Sequence, residues 1–220
     1  MVDLSKYRIH DLTHTYSEQI AGYSESTART IQEDGWNAKW LRIYSHAGTH
    51  MDAPIHFNVN KQTIDEYLPS QLMGSAWLVH VEITEAQQLI ELDDLGDLIE
   101  RFEPFDSLLI RSNWSKKIDE PEVYRNHMPR ISKQLAEWCV ENKVKILGVE
   151  AGSVADVNNL AEVTEIHGIL LGGNVIIVEG LKNLDLIERD KVFLVALPIK
   201  TLAGDGAPAR VIAFEEKNEV

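Results

Sequence analysis

The sequence predicts an α/β fold with a mixed β-sheet in a single domain. Seven segments are β-branched or alternate in polarity, which is typical of strands, and two others have the apolar period of helices. Strands and helices mix without strict alternation, and this pattern favours a mixed sheet over a purely parallel one. The 220 residues can bury a sizeable core, and no repeat or Pro/Gly/Ser-rich linker divides them. We therefore expect residues 1–220 to form one domain.

The strand-like segments are short apolar runs, each interrupted by polar or turn-forming residues. They cover residues 39–45, 76–83, 107–111, 144–149, 175–178, 192–197 and 209–214.

Residues 129–142 form the strongest predicted helix, because their apolar side chains recur at i, i+4, i+7 and i+8. That face comprises Ile131, Leu135, Trp138 and Cys139. Residues 159–171 predict a second helix, and residues 93–101 predict a weaker third. By contrast, residues 15–35 are polar without a clear period, so we expect a loop or arm there, of the kind that often covers a site.

The composition excludes several classes of protein. The formal net charge of −14 disfavours nucleic acid and anionic membrane as partners, because their phosphates would be repelled. Cys139 is the single cysteine, so an intrachain disulfide and a zinc site with two thiolates are both excluded. The N-terminus has no apolar stretch of signal-peptide length, and the longest nearly apolar run, 169–178, is too short to span a bilayer. We expect a cytoplasmic protein.

The most informative pattern is a set of metal-binding residue types at even-numbered positions of one short segment. The set comprises His46, His50, Asp52 and His56. In an extended chain all four side chains would point to the same side, whereas a helix would scatter them. Gly48 and Pro54 also argue against a helix. The pattern therefore predicts an extended segment that directs three imidazoles and one carboxylate toward one point.

Imidazole nitrogen and carboxylate oxygen suit Zn²⁺ or Mn²⁺ when no thiolate is offered. Three such ligands leave a position open for water, which is the arrangement of a catalytic site. The alternative is a group of ordinary polar residues at a strand edge. That alternative is the weaker one, because four metal-binding residues at even-numbered positions within eleven residues are rarely a coincidence.

Two further candidates lie downstream. His167 is near the end of the second predicted helix, and Glu179 ends a strongly apolar strand. Each residue alone is typical of a surface histidine or a turn carboxylate, so spacing does not pair them. The same holds for Glu150, at the end of another apolar strand, and for Asp156.

Residues 46–56 resemble the H-x-G-T-H-x-D-x-P-x-H signature of the cyclase family of metal-dependent hydrolases. That family includes bacterial kynurenine formamidase, isatin hydrolase and a trans-dienelactone hydrolase. The resemblance extends over most of the chain. It includes residues 11–14, 109–114, 148–154, 167–179, 197–198 and 206–210.

The resemblance implies a swivelling β/β/α fold with one or two Zn²⁺ ions, Mn²⁺ being possible, and assembly as a homodimer or homotetramer. It implies that a first metal is bound by His46, His50 and Asp52. A second metal would be bound by His167 and Glu179, with Asp52 as the bridge between the two metals. His56 would be the acid/base residue.

Two positions depart from the family pattern. Members of the formamidase type have a tryptophan in the early loop, where this chain has Tyr23, the candidate substrate-binding residue. The usual aspartate of the 148–154 segment is Glu150. Both departures concern the choice of substrate and leave the metal chemistry unchanged. The role of His14 also stays open.

The leading hypothesis is hydrolysis of an amide or lactone bond in a small molecule, with an N-formylkynurenine-like aryl formamide as the best guess. Water on the metal has its pKa lowered from about 15.7 to about 7, so hydroxide is available to attack a carbonyl carbon. His56 would exchange the proton. The alternatives are a metal-dependent cyclase or dehydratase that uses an enolate, and a non-catalytic metal-binding module.

Overall fold

The computed structural model describes residues 3–217, and within that range the chain folds into a closed, mixed β-barrel flanked by helices. The strands are β1 Tyr7–Asp11, β2 Tyr23–Arg29, β3 Ala38–Ile43, β4 His50–Asp52, β5 Met73–His80, β6 Leu89–Ile90, β7 Ser107–Arg111, β8 Arg130–Ile131, β9 Ile146–Val149, β10 Ile176–Glu179, β11 Lys191–Pro198 and β12 Gly206–Glu216. The α-helices are α1 Ile31–Asp34, α2 Leu98–Arg101, α3 Pro121–Asn126, α4 Lys133–Glu141 and α5 Leu160–Gly172.

The main sheet has the order β1-β12-β11-β5-β7-β9-β10-β4, and β4 also pairs with β12. This second pairing closes a ring of seven strands, with β1 added at the outer side of β12. The pairs β5–β7, β7–β9 and β9–β10 are parallel. The remaining pairs of this sheet are antiparallel. The predicted mixed sheet is confirmed.

All seven segments predicted as strands form strands, with ends shifted by a few residues. In β9 and β10 every residue is buried. Helices α4 and α5 cover one face of these strands, and the inside of the barrel covers the other. Burial on both faces explains why their sequences read as continuous apolar runs rather than as alternating ones.

Helix α4 confirms the strongest helix prediction, although it begins at Lys133 rather than at residue 129. The hydroxyl oxygen of Ser132 accepts a hydrogen bond from the amide of Leu135 and so caps the helix. Just before this cap, β8 pairs with β6, and this pairing takes the preceding residues out of the helix. Cys139 is fully buried on α4, and burial raises the pKa of its thiol, so the thiol is inert at neutral pH.

Helix α5 confirms the second helix prediction, whereas the third was wrong as a single helix. Residues 93–101 divide into a 3₁₀ turn, Leu92–Leu95, and the short helix α2. Gly96 separates them with φ 55° and ψ −132°, a conformation that ends the helical path. No helix among residues 3–217 is long and apolar enough to cross a membrane.

Residues 15–35 contain β2 and α1 rather than a loop alone. Strand β2 pairs antiparallel with β3, and the two form a separate ribbon beside the barrel. Most side chains on both faces of β2 are exposed, so its sequence lacks the polar and apolar alternation by which strands are recognised. The ribbon also exposes Trp40, at 72% of its surface, and Trp36, in the turn before β3, at 57%.

Candidate metal centre

Strand β4 supplies the two central residues of the site. His50 and Asp52 lie two positions apart on β4, so their side chains share one face of the strand. Strand β4 is hydrogen-bonded to β10 on one side, where His50 lies opposite Glu179. Direct partners on adjacent strands also share a face, and His50 Nε2 lies 3.1 Å from Glu179 Oε2. All three side chains are nearly fully buried.

The predicted extended path over residues 46–56 was correct only for β4. His46 lies in a turn before the strand, and His56 lies in a 3₁₀ helix, Pro54–Phe57. Gly48, at φ +61°, reverses the chain before β4, and Pro54 begins the 3₁₀ helix after it. The two rings nevertheless converge, because the turn and the 3₁₀ helix fold toward each other. They stack with their centroids 3.8 Å apart.

The first group of potential ligands consists of His46, His50 and Asp52, whose ligand atoms all lie within 4.8 Å of one another. His46 Nδ1 is 2.8 Å from Asp52 Oδ1, and His50 Nε2 is 3.7 Å from the same oxygen. These are the residues that the sequence resemblance assigns to a first metal.

The second group consists of Asp52, His167 and Glu179, within the same 4.8 Å limit. His167 projects from α5, with its Nε2 atom 3.6 Å from Asp52 Oδ2 and 3.3 Å from Glu179 Oε1. Asp52 therefore directs one carboxylate oxygen toward each group. A carboxylate in this position can bridge two cations. The structure also brings His167 and Glu179 together, a pairing that their spacing in the sequence did not predict.

Hydrogen bonds to the backbone orient two of the imidazoles. His50 Nδ1 donates to the carbonyl oxygen of Gly48 at 3.0 Å, and His167 Nδ1 donates to that of Val163 at 2.7 Å. Because a carbonyl oxygen only accepts, Nδ1 carries the hydrogen in both rings. In the neutral rings Nε2 is then left with a lone pair that points toward carboxylate oxygens. Such bonds to the distal nitrogen are typical of histidines that bind metals.

The donor set fits a divalent cation. Neutral Nε2 lone pairs facing carboxylates need a proton or a cation between them. Burial alone would lower the pKa of His50 and His167, but Glu179 and Asp52 raise both above their ordinary value. A cation can take the place of these protons. Tetrahedral ligands about 2.0–2.2 Å from one metal lie about 3.3–3.6 Å from each other, and the donor separations of 2.8–3.7 Å fall around that range.

His56 lies at the solvent side of these two groups, with its side chain 25% exposed. Burial lowers its pKa below the ordinary value, so the ring is neutral at pH 7. With His46 and Asp205 it forms a third group of potential ligand atoms, and its Nδ1 atom is 3.7 Å from Asp205 Oδ2. The position fits an acid/base residue, and the third group leaves a ligand role open as well.

The sequence analysis missed Asp205. Its Oδ2 atom is 3.1 Å from His46 Nε2, on the far side of the ring from Asp52. The residue that follows, Gly206, begins β12 and lies opposite Asp52 of β4. The contact depends on a strand pairing between residues about 150 positions apart, so no local signal in the sequence reveals it.

Tyr23, the predicted substrate-binding residue, makes no hydrogen bond or ring contact with the metal-centre residues within residues 3–217. It lies on β2, where its ring is 5.4 Å from that of Tyr16 and its hydroxyl donates to Glu25. The backbone before β2 approaches the centre more closely, because Ile20 and Ala21 line a cavity that His46 also lines.

Glu150 has a structural position rather than a place in the ligand groups. Its carboxylate is fully buried and accepts hydrogen bonds from the backbone amide of Ser112 and the hydroxyl of Ser115, both at 2.7 Å. Its backbone carbonyl accepts from the hydroxyl of Tyr124. Burial raises the pKa of Glu150, while the bonds from both serines oppose that rise. The contacts connect the chain after β7 to the end of β9.

His14 is buried behind the metal segment. Its backbone N–H donates to the hydroxyl of Thr49, which in turn donates to the carbonyl of Gly180. The imidazole Nε2 has no hydrogen-bond partner among residues 3–217. Burial, with Lys182 nearby, lowers its pKa to about 4, so the ring is neutral at pH 7. The backbone of His14, rather than its imidazole, therefore supports the loop before β4.

Gly180 holds the end of β10 against the loop before β4. It has φ +65°, and a Cβ atom at this position would lie 2.3 Å from the carbonyl oxygen of Gly48. We expect Gly180→Ala to lower the free energy of unfolding by about 2–4 kcal/mol, since strain at positive φ adds to a backbone clash. It should also weaken cation binding, because Glu179 adjoins it. Chemical denaturation and metal titration measure the two effects.

The matched control is Gly35→Ala. Gly35 has φ +81°, but no atom lies within 4 Å of its added Cβ. We expect it to cost only about 1–2 kcal/mol, from strain alone, and to leave cation binding unchanged. Equal destabilisation by both substitutions would contradict the proposed contact between β10 and the metal segment.

Residues 10–156 match the model of the cyclase family. The chain is 29% identical over 219 residues to a kynurenine formamidase of Bacillus cereus (strain ZK / E33L), covering 96% of this chain and 95% of that enzyme. It is 30% identical over 183 residues to a kynurenine formamidase of Bacillus mycoides (strain KBAB4), covering 80% and 79%.

Among solved structures, isatin hydrolase A from Ralstonia solanacearum superposes with a TM-score of 0.85 at 22% identity, covering 96% of this chain and 93% of that one. This similarity confirms the fold that the resemblance of residues 46–56 implied.

Proposed function

Because the chain belongs to the cyclase family, we propose that it is a metal-dependent hydrolase that cleaves a carbon–nitrogen bond outside peptides, with an aryl formamide as its best substrate. The kynurenine formamidases that it resembles along nearly its whole length support this reaction class. The replacement of the family's tryptophan by Tyr23 argues that the substrate need not be formylkynurenine itself.

The observation that carries the proposal is the position of Asp52. One of its oxygens faces His46 and His50, and the other faces His167, which contacts Glu179. A buried carboxylate shared by two groups of donors fits a centre of one or two cations better than a purely structural site. A structural zinc site is closed by four protein ligands, whereas each of these groups offers three.

When bound, a divalent cation lowers the pKa of a coordinated water toward about 7 and polarises a substrate carbonyl. His46, His50 and Asp52 would hold the first ion, and His167 and Glu179 would join Asp52 in holding a second. Nitrogen and oxygen donors suit both Zn²⁺ and Mn²⁺, and we propose Zn²⁺ because no oxygen-only site is present in these groups.

His56 would move the proton. Its ring is neutral at pH 7, because burial lowers its pKa, so it can accept a proton from the attacking water. It then donates this proton to the departing amine nitrogen when the carbon–nitrogen bond breaks. Stacking on His46 holds the ring, and Asp205 near Nδ1 provides a carboxylate that can orient it.

A formamide assay with controlled metal content tests the proposed function. We expect purified protein to release formate from formanilide or a substituted formanilide, to lose this activity after treatment with a chelator, and to regain it with Zn²⁺ or Mn²⁺. Formate and the free aniline should appear in equal amounts. Activity that survives complete removal of metal would refute the proposal, and so would consumption of substrate without formate, as an enolate-forming cyclase or dehydratase would give.

We also propose that the chain assembles as a homodimer or homotetramer through the β2–β3 ribbon. Trp36 and Trp40 support this, since both are exposed in or beside the ribbon and large exposed apolar side chains favour an interface. Light scattering of the purified protein measures the state directly. A cytoplasmic location stays a prediction.

A further inference from the structure

A cavity of about 170 Å³ opens beside the metal centre, and His46 and His50 form part of its wall. A cavity of about 150 Å³ is large enough for benzene. The space therefore fits one aromatic ring with a small substituent. A ring in this cavity would place an attached acyl group next to the two imidazoles.

Most of the cavity wall is apolar. Ile20, Ile118, Met128 and Val157 contribute aliphatic side chains or a thioether. Such a wall binds a ring without specifying what the ring carries. Any choice among substituted rings must come from the few polar groups at the wall.

Arg125 is the one basic side chain, apart from the imidazoles, among the described residues that line the cavity, and none of those residues is acidic. The absence of acidic residues from the cavity wall contrasts with the chain as a whole, which has 35 acidic residues and only 21 lysines and arginines. Within residues 3–217, no hydrogen bond or ion pair is found for the Arg125 side chain, whereas Arg101, Arg130 and Arg210 each contact a carboxylate.

An arginine without an acidic partner at the edge of a ring-sized cavity can bind a substrate carboxylate. The planar guanidinium donates two parallel hydrogen bonds to a carboxylate, which adds direction as well as attraction. Arg125 also lies in the last turn of α3, where a cation gains stability from the partial negative charge of the helix end. That gain accounts for the charge, but it leaves the donors of the guanidinium without an acceptor from the protein.

We propose that the substrate is a single-ring aryl formamide that carries a carboxylate, and that Arg125 determines this specificity. The inference rests on the proposed function. In the reaction, the water oxygen forms a bond to the formyl carbon, the carbon–nitrogen bond breaks, and the amine nitrogen receives the proton. The products are formate and an aminobenzoate, and Arg125 holds the ring carboxylate, which does not react.

The experiment compares formanilide with the ortho, meta and para isomers of N-formylaminobenzoate, using the metal-loaded enzyme. We expect kcat/KM for one isomer to exceed that for formanilide by about 10- to 100-fold, the range of a charge-assisted hydrogen bond. Arg125→Gln should reduce this ratio to near one, mainly through a higher KM for the carboxylated compound. Arg125→Lys should restore part of it, because lysine keeps the charge without the paired donors.

The matched control is Arg101→Gln, which removes the same charge from a residue that does not line the cavity. We expect it to leave the ratio of the wild-type enzyme unchanged. If wild type hydrolyses formanilide and all three isomers equally well, or if Arg101→Gln lowers the ratio as much as Arg125→Gln, the inference about Arg125 is wrong and the proposed function stands. If wild type hydrolyses none of the four compounds, the proposed function itself is wrong.

Discussion

Asp52→Asn is expected to abolish cation binding and hydrolysis together. The substitution keeps the shape of the side chain but removes the buried negative charge that faces His46 and His50 on one side and His167 on the other. Loss of a residue that only orients a ligand typically costs 10- to 100-fold in metal affinity. Loss of the shared ligand should therefore exceed about 100-fold. Metal analysis after dialysis and kcat/KM for an aryl formamide measure the two effects.

Asp106→Asn provides the matched control. Asp106 is also buried, but its carboxylate contacts Lys191 and the indole N–H of Trp77, away from the metal groups. We expect it to lower stability while the bound metal per chain stays that of wild type. Thermal unfolding in the presence of a chelator shows whether the Asp52 variant is folded. A folded Asp52→Asn protein that retains its full metal content would refute the shared-ligand assignment.

His56→Gln is expected to separate binding from chemistry. The variant should keep its cation, because His56 belongs to neither of the two groups that contain Asp52. It should lose about 10²- to 10⁴-fold in kcat, the usual contribution of a general acid or base. Metal content and kcat are measured on the same preparation.

His127→Gln is the control for His56→Gln, since His127 is exposed and belongs to none of the three groups of potential ligands. It should leave both metal content and kcat unchanged. If His56→Gln instead releases the cation, then His56 acts as a ligand in the third group, together with His46 and Asp205. The acid/base assignment would then be wrong.

The local sequence correctly predicted strands that are buried on both faces and helices that bury one apolar face. Strands β7, β9 and β10 were predicted nearly residue for residue because they are short apolar runs without polar alternatives. Helix α4 was predicted because its apolar period matches the 3.6-residue turn. The third predicted helix failed at Gly96, where the backbone conformation opposed an otherwise helical pattern.

The candidate site was predicted less evenly. Strand β4 has three residues, so strict alternation holds only for His50 and Asp52. His46 and His56 reach the same place by a turn and a 3₁₀ helix, so the pattern of even-numbered positions predicted their convergence for a reason that was wrong. Asp205 and the cavity with Arg125 were not predicted at all, because both depend on contacts between distant segments.

The sequence by itself determined the donor chemistry: imidazoles and a carboxylate within residues 46–56, no pair of thiolates, and a length and patterning that suit a mixed α/β fold. Only the tertiary structure decided how these donors meet. Strand β4 inserts between β10 and β12, which places Glu179 opposite His50 and brings Asp205 to His46. Pairing between strands far apart in the chain depends on closure of the whole barrel, so the residue types within any one segment do not predict it.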